Sequence, residues 1–122
     1  MTIHTKYLLV ISMDVDPAHE DIFNDVYDNE HLPHLLSVPG VKSITRFKGL
    51  PFSFAIAGDL KVMPAASPVY TALYEIDSPD VLSSPEWAHA VEQGRWASEV
   101  RPFTTNRIHC VYEKKFDLES NN

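Results

Sequence analysis

The chain has 122 residues, 44% of them hydrophobic and 22% charged, the size and balance of one soluble globular domain with its own core, which excludes disorder. Its net charge is −7, and no Lys or Arg falls between Tyr7 and Val41, where Asp14, Asp16, Glu20, Asp21, Asp25, Asp28 and Glu30 all lie; such a surface excludes nucleic acid and anionic membranes as partners. The single cysteine, Cys110, excludes an internal disulfide framework, and no segment approaches the roughly 20 apolar residues of a membrane span, so a cytoplasmic protein is expected.

Residues 6–13, rich in Tyr, Leu, Val and Ile, predict a first strand. Asp16 is placed to cap a helix whose first position is Pro17. Ile22, Phe23, Val26 and Tyr27 recur at helical spacing and give that helix one apolar stripe, and Pro39-Gly40 ends it. Residues 41–48 alternate as a second strand. Residues 49–67 carry Pro51, Pro64, Gly49 and Gly58 and are expected to form a long loop. In the strand expected over 68–76, Tyr70, Ala72, Tyr74 and Ile76 share one face and Val69, Thr71 and Leu73 the other.

Ser78-Pro79 and Ser84-Pro85 each have the form of a helix start, so the second helix is expected to begin in two steps. Trp87, Ala90, Val91 and Gly94 fall on one face of it, while Trp96 leaves that face, which predicts a break near Gly94. Residues 104–116 form a closing strand, giving a single domain over 1–116 and a flexible tail over 117–122.

The resulting order is βαββαβ, an α+β, ferredoxin-like fold with a four-stranded antiparallel sheet. Two helices cover one face of such a sheet. The other face also carries apolar residues and requires a partner, most simply a second copy related by a two-fold axis. The expected assembly is a homodimer, a dimeric α/β barrel, with a pocket between sheet and helices in each subunit.

The run FNDVYDNEHLPHLLSVPGVKSITRF, Phe23 to Phe47, resembles the first helix and second strand of EthD-like proteins of the dimeric α/β-barrel superfamily. The shared features are the aromatic residues Phe23 and Tyr27, then Glu30-His31-Leu32-Pro33, Pro39-Gly40 and the basic strand residue Arg46. YTALYEIDSPDVLSSPEW, Tyr70 to Trp87, resembles the third strand and second helix start of the same proteins. The resemblance implies a ferredoxin-like dimer with a pocket near His31. It does not define an activity, because the superfamily includes cyclases, isomerases, cofactor-free monooxygenases and haem enzymes.

Phe23, Tyr27 and His31 are four apart, so His31 continues the inward stripe at the end of the first helix. Its imidazole is suited to acid–base work near neutral pH; the competing reading is a histidine that only caps the helix. Tyr27 and Glu30 are the expected catalytic supporters, Tyr27 as a hydrogen-bond donor and Glu30 to orient the imidazole. Arg46, as an anchor for an anion, and Tyr70, Tyr74 and Trp96, as pocket walls or donors, are the expected substrate-binding residues; each has an alternative in packing or in a cross-sheet ion pair. His34, three residues after His31, superficially suits a metal, but Pro33 between them spoils the geometry and no second ligand pair accompanies it. His89 and His109 invite a haem reading that nothing else in the sequence supports.

No metal and no cofactor is therefore expected. Phosphate loops, nucleophile elbows and dinucleotide glycine patterns are missing from the sequence. The expected function is cofactor-free, His-based acid–base chemistry of lyase, isomerase or cyclase type on an apolar metabolite bearing a carbonyl or phenol. The alternatives are cofactor-independent oxygen insertion on the same fold and a non-catalytic ligand-binding or accessory barrel.

Overall fold

The computed structural model describes residues 3–121. Residues 1 and 2 of the expected domain and residue 122 of the expected tail lie outside the described residues. The first strand, β1, runs over Tyr7–Val15, two residues beyond the expected end. The extension includes Asp14, whose carboxylate accepts the backbone N–H of Val69 at 2.8 Å and the Asn106 side-chain amide at 3.1 Å. Those bonds tie the strand end to two neighbouring segments, which is why an acidic residue closes an apolar strand.

Asp16 caps the next turn as expected, its side chain accepting from the Ala18 N–H. After that 3₁₀ turn the first helix proper, α1, covers Glu20–Val26. It passes through a π turn over Tyr27–His31 into α2, Leu32–Leu36. Pro33 therefore lies in the first turn of α2, where a missing N–H costs little, rather than breaking the helix. Strand β2 spans Val41–Lys48, with the expected bounds.

The segment 49–67 is not a loop. It contains a β-hairpin, β3 over Phe52–Ile56 and β4 over Asp59–Met63. The connecting residues Ala57 and Gly58 both have positive φ, 50° and 83°, the backbone that a two-residue hairpin turn needs. The two prolines that made this segment read as loop simply flank the strands. The hairpin leaves apolar side chains in solvent, including Leu60 at 71% and Val62 at 77% exposure.

Strand β5, Tyr70–Ile76, buries Tyr70, Ala72, Tyr74 and Ile76 and leaves Thr71, Leu73 and Glu75 on the other face. Ser78 and Ser84 each cap a turn through their hydroxyls, and α3 covers Pro85–Ala90. The break expected near Gly94 is present: Gly94 has φ 70°, and a second π turn, Trp96–Val100, follows. Strand β6, Thr104–Glu113, closes the chain's ordered elements and stops short of the expected residue 116.

The main sheet has the order β2-β5-β1-β6 with every pairing antiparallel, the ferredoxin-like α+β arrangement. Leu9, Ile11, Met13, Tyr70, Tyr74 and Ile76 meet Phe23, Val26, Tyr27 and Leu35 in one core between sheet and helices. Directly opposed antiparallel residues share a face, so the register places Phe47, Leu73, Val10 and Ile108 together on the uncovered side.

Gly40 ends the first helical layer at φ 95°, and a Cβ there would lie 2.5 Å from Val81 Cγ2. Gly40→Ala therefore combines backbone strain with overpacking against a stiff side chain, and is expected to lower the unfolding free energy by about 1–3 kcal/mol. Urea unfolding checks this; an unchanged midpoint contradicts it.

Candidate functional site

A cavity of about 360 Å³ lies between the helical layer and the β1–β6 side of the sheet. That is near the lower end of the range for small-molecule sites. Leu9, Ile11, Met13 and Tyr74 form its sheet wall, Tyr27, His31 and Leu35 its first helical wall. Leu82, Trp87, Val91 and Trp96 close the second helical side. The rim carries Arg101, Arg107 and His109.

His31 is 5% exposed. Its ring stacks on the Trp96 indole with centroids 4.2 Å apart and planes 15° from parallel. Tyr27 meets both rings edge-on, at 5.4 Å from His31 and 5.0 Å from Trp96. Two local features produce this cluster. The first π turn lets the Leu32 N–H reach the Tyr27 carbonyl, so Tyr27 and His31 bound one widened turn and are both buried. The second π turn begins at Trp96 and presents its indole to the first.

Nδ1 of His31 is buried with no hydrogen-bond partner among the described residues. A buried polar atom left unpaired costs about 1–3 kcal/mol, and a bound molecule able to pair with it removes that cost. Burial, the Arg101 charge and His34 together push the His31 imidazole down to a pKa of about 3, so it is neutral throughout the physiological range. Burial raises the Tyr27 phenol and raises the Tyr74 phenol well above its ordinary value. Their hydroxyl oxygens stand 3.5 Å apart, too far for a strong mutual bond, so both remain neutral donors.

Of the residues expected to form the site, His31, Tyr27, Tyr74 and Trp96 meet at the cavity. Glu30 does not touch the imidazole in the expected way. Its carboxylate accepts from the Arg95 backbone N–H at 3.0 Å and side-chain Nε at 2.7 Å, because that guanidinium and the Gly94 turn stand directly against it. Arg46 and Tyr70 are also elsewhere. Arg46 donates to Asp28 at 2.6 Å and to Asn24 at 2.8 Å, and Tyr70 donates to Glu20. The Arg46 guanidinium lies over the rings of Phe23, Tyr27 and Tyr70 at 5.3, 4.6 and 5.4 Å. That box is filled and leaves no room for a ligand.

The sequence reading missed Arg101 and Arg107, whose side chains carry no motif. His34 and His89 line a different, more open pocket of about 570 Å³. No group of three His, Cys, Asp or Glu side chains converges among the described residues, and none of the helices is long and apolar enough to cross a membrane.

No protein-family profile matches this chain, and no curated protein sequence does. Solved structures do. An EthD (ethyl tert-butyl ether D) family protein of Bacillus halodurans superposes with a TM-score of 0.55 at 14% identity, covering 89% of this chain and 99% of that one. HapK of Hahella chejuensis gives 0.58 at 11% identity, over 95% and 99% of the two chains. MhuD of Mycobacterium tuberculosis, a haem degrader with two haems in its active site, gives 0.53 at 11% identity over 93% and 99%. At such identities the likeness shows the fold alone, the ferredoxin-like α+β arrangement that these structures share with this chain, as the sequence resemblance implied.

Protonating His31 is unfavourable only in the folded state, whose pKa lies below the ordinary 6.5. Between those two values the unfolded chain binds the extra proton, so stability falls as pH falls, by up to about 1.4 kcal/mol per unit. Unfolding free energies of the native chain and His31→Gln are expected to diverge in slope between pH 6.5 and about 4.5, the native chain losing more. Parallel curves contradict a buried neutral imidazole.

Proposed function

We propose that this chain is a small-molecule enzyme, and that the cavity beside His31 holds an apolar compound bearing a carbonyl or phenol. The observation that carries the reading is the buried, unpartnered His31 imidazole stacked on Trp96 in the wall of that cavity. A purely structural histidine at such a place would be hydrogen-bonded.

The chemistry follows from neutral groups. The His31 imidazole takes a proton from the substrate carbon or hydroxyl as negative charge develops on the substrate oxygen. The imidazolium so formed is unfavourable alone in this setting, but the adjacent substrate anion offsets it at short range in a low dielectric. The Trp96 face adds a cation–π attraction that exists only once the imidazole is charged. Tyr27 and Tyr74 are suited to donate to the developing oxyanion. The proton then returns at a second position or leaves with a group, which is isomerisation, ring closure or elimination.

Turnover by His31→Ala and His31→Gln decides the matter: both are expected to lose at least about 100-fold in kcat while still binding ligand. Full turnover in either variant refutes the mechanism. Saturable binding with no conversion by the native chain identifies a ligand-binding barrel instead, oxygen uptake coupled to turnover identifies oxygen insertion from the same carbanion, and a Soret band on haem addition identifies a haem protein. Because His31 is already neutral, kcat/KM is expected to stay flat through pH 6.5, with no break at the ordinary imidazole pKa.

The protein acts as a homodimer in this reading. The uncovered face, with Leu73 and Val10 paired at its centre, is the contact surface for the second copy. Sedimentation at micromolar concentration is expected to show a dimer, and Leu73→Glu a monomer. A monomeric native chain contradicts the assembly.

A further inference from the structure

The charge of the cavity runs against the charge of the chain. Arg101, Arg107, His109 and His31 all line it, and no acidic residue among the described residues does. Yet the chain as a whole carries −7. An acidic protein whose cavity is bordered by two guanidinium groups and by no carboxylate has a local charge opposite in sign to its global one.

A bulge helps to place one of these cations. Ser12 pairs with Ile108 and Asp14 with Thr105, so Met13 alone faces both Asn106 and Arg107. Asn106 takes φ 54°, a conformation that Asn tolerates better than most residues. Its amide is held by Asp14 at 3.1 Å and Ser67 at 3.4 Å. Strict alternation would put Thr104 and Arg107 on opposite faces. The extra residue lets Thr104 be buried under the helices while Arg107 still borders the cavity.

Arg101 is fixed by the chain around it. It donates to Glu92 at 3.0 Å and to the Val91 carbonyl at 2.8 Å, which immobilises the guanidinium at the rim with further N–H donors to spare. Its charge and that of Arg107 are felt by the two imidazoles, where each is a secondary cause, after burial, of a lowered pKa.

We infer that the cavity selects a carboxylate ligand, an apolar body in the cavity with its anionic end against Arg101 and Arg107. This rests on the cavity being the ligand site proposed above and names the class of compound it takes. Guanidinium groups match carboxylates in geometry as well as charge. The ligand's charge also opposes the Arg101 field at His31, so an anionic substrate makes the imidazole a stronger base than it is in the free protein.

The test uses the full chain and two probes of one shape, a naphthoate and the matching naphthamide, followed by quenching of Trp87 and Trp96, which both wall the cavity. The naphthoate is expected to bind about tenfold or more tightly than the naphthamide. Arg107 makes no hydrogen bond or ion pair among the described residues, so Arg107→Gln keeps the fold and is expected to remove most of that preference, leaving naphthamide affinity unchanged. Equal affinity for the two probes, or an equal loss of both in Arg107→Gln, overturns the carboxylate assignment but leaves the cavity as a ligand site. Quenching by neither probe overturns both.

Discussion

The imidazole of His31 lies on the indole of Trp96, and this one stack joins the two halves of the helical layer. The partners are 65 residues apart in sequence, and each is set at a helix irregularity: His31 closes one π turn and Trp96 opens the other. The clamp behind the stack is the Glu30 carboxylate, which binds the Arg95 backbone and side chain one residue before Trp96. Gly94 beside it has φ 70°, a backbone that residues with a side chain rarely adopt, and a Cβ there would also displace the Glu30 carboxylate, 2.7 Å away at Oε1. Glu30 thus acts on the site from a distance, by holding the turn that carries the indole.

The same enclosure decides the charge states. Burial is the largest influence on His31, Tyr27 and Tyr74 alike. It drives the imidazole to its neutral form and the phenols to theirs, so the cavity offers several polar atoms with no formal charge. Such a wall accepts an apolar ligand without the penalty of burying an unpaired ion. The formal charges stay at the rim, on Arg101 and Arg107, where water still reaches them. In the proposed mechanism, binding and proton transfer thereby fall to different residues.

Much of this was legible in the sequence, and the exceptions have physical causes. Capping by Asp16, Ser78 and Ser84 depends on local residue types, so the helix starts were readable. The alternation of Tyr70, Ala72, Tyr74 and Ile76 was equally plain, because one face of β5 is buried. The hairpin was not, since its prolines lie just outside strands whose apolar residues face solvent. His31, Tyr27, Tyr74 and Trp96 stood out as an inward imidazole, two tyrosines and a displaced tryptophan. Arg46 was misplaced because a strand basic residue near a pocket gives no hint that Asp28, Asn24 and three aromatic rings already occupy it. Arg101 and Arg107 escaped notice for the opposite reason: only the second helical break and the β6 bulge bring them to the cavity.

In the proposed mechanism Arg46 nevertheless bears on the chemistry through Tyr27, the residue common to both compartments. One face of the Tyr27 ring lies 4.6 Å from the Arg46 guanidinium, while the residue also lines the cavity. The Arg46 charge lowers the pKa of that phenol, against the larger, opposite effect of burial. A hydrogen bond from Tyr27 to a developing oxyanion draws negative charge onto the phenol oxygen, and a fixed cation behind the ring stabilises that charge at the moment it appears. Asp28 moderates the effect, since its carboxylate pairs with the same guanidinium. The packed box of Phe23, Tyr70 and Arg46 therefore supports the open cavity from its far side, holding Tyr27 in place and adjusting how readily its proton is shared.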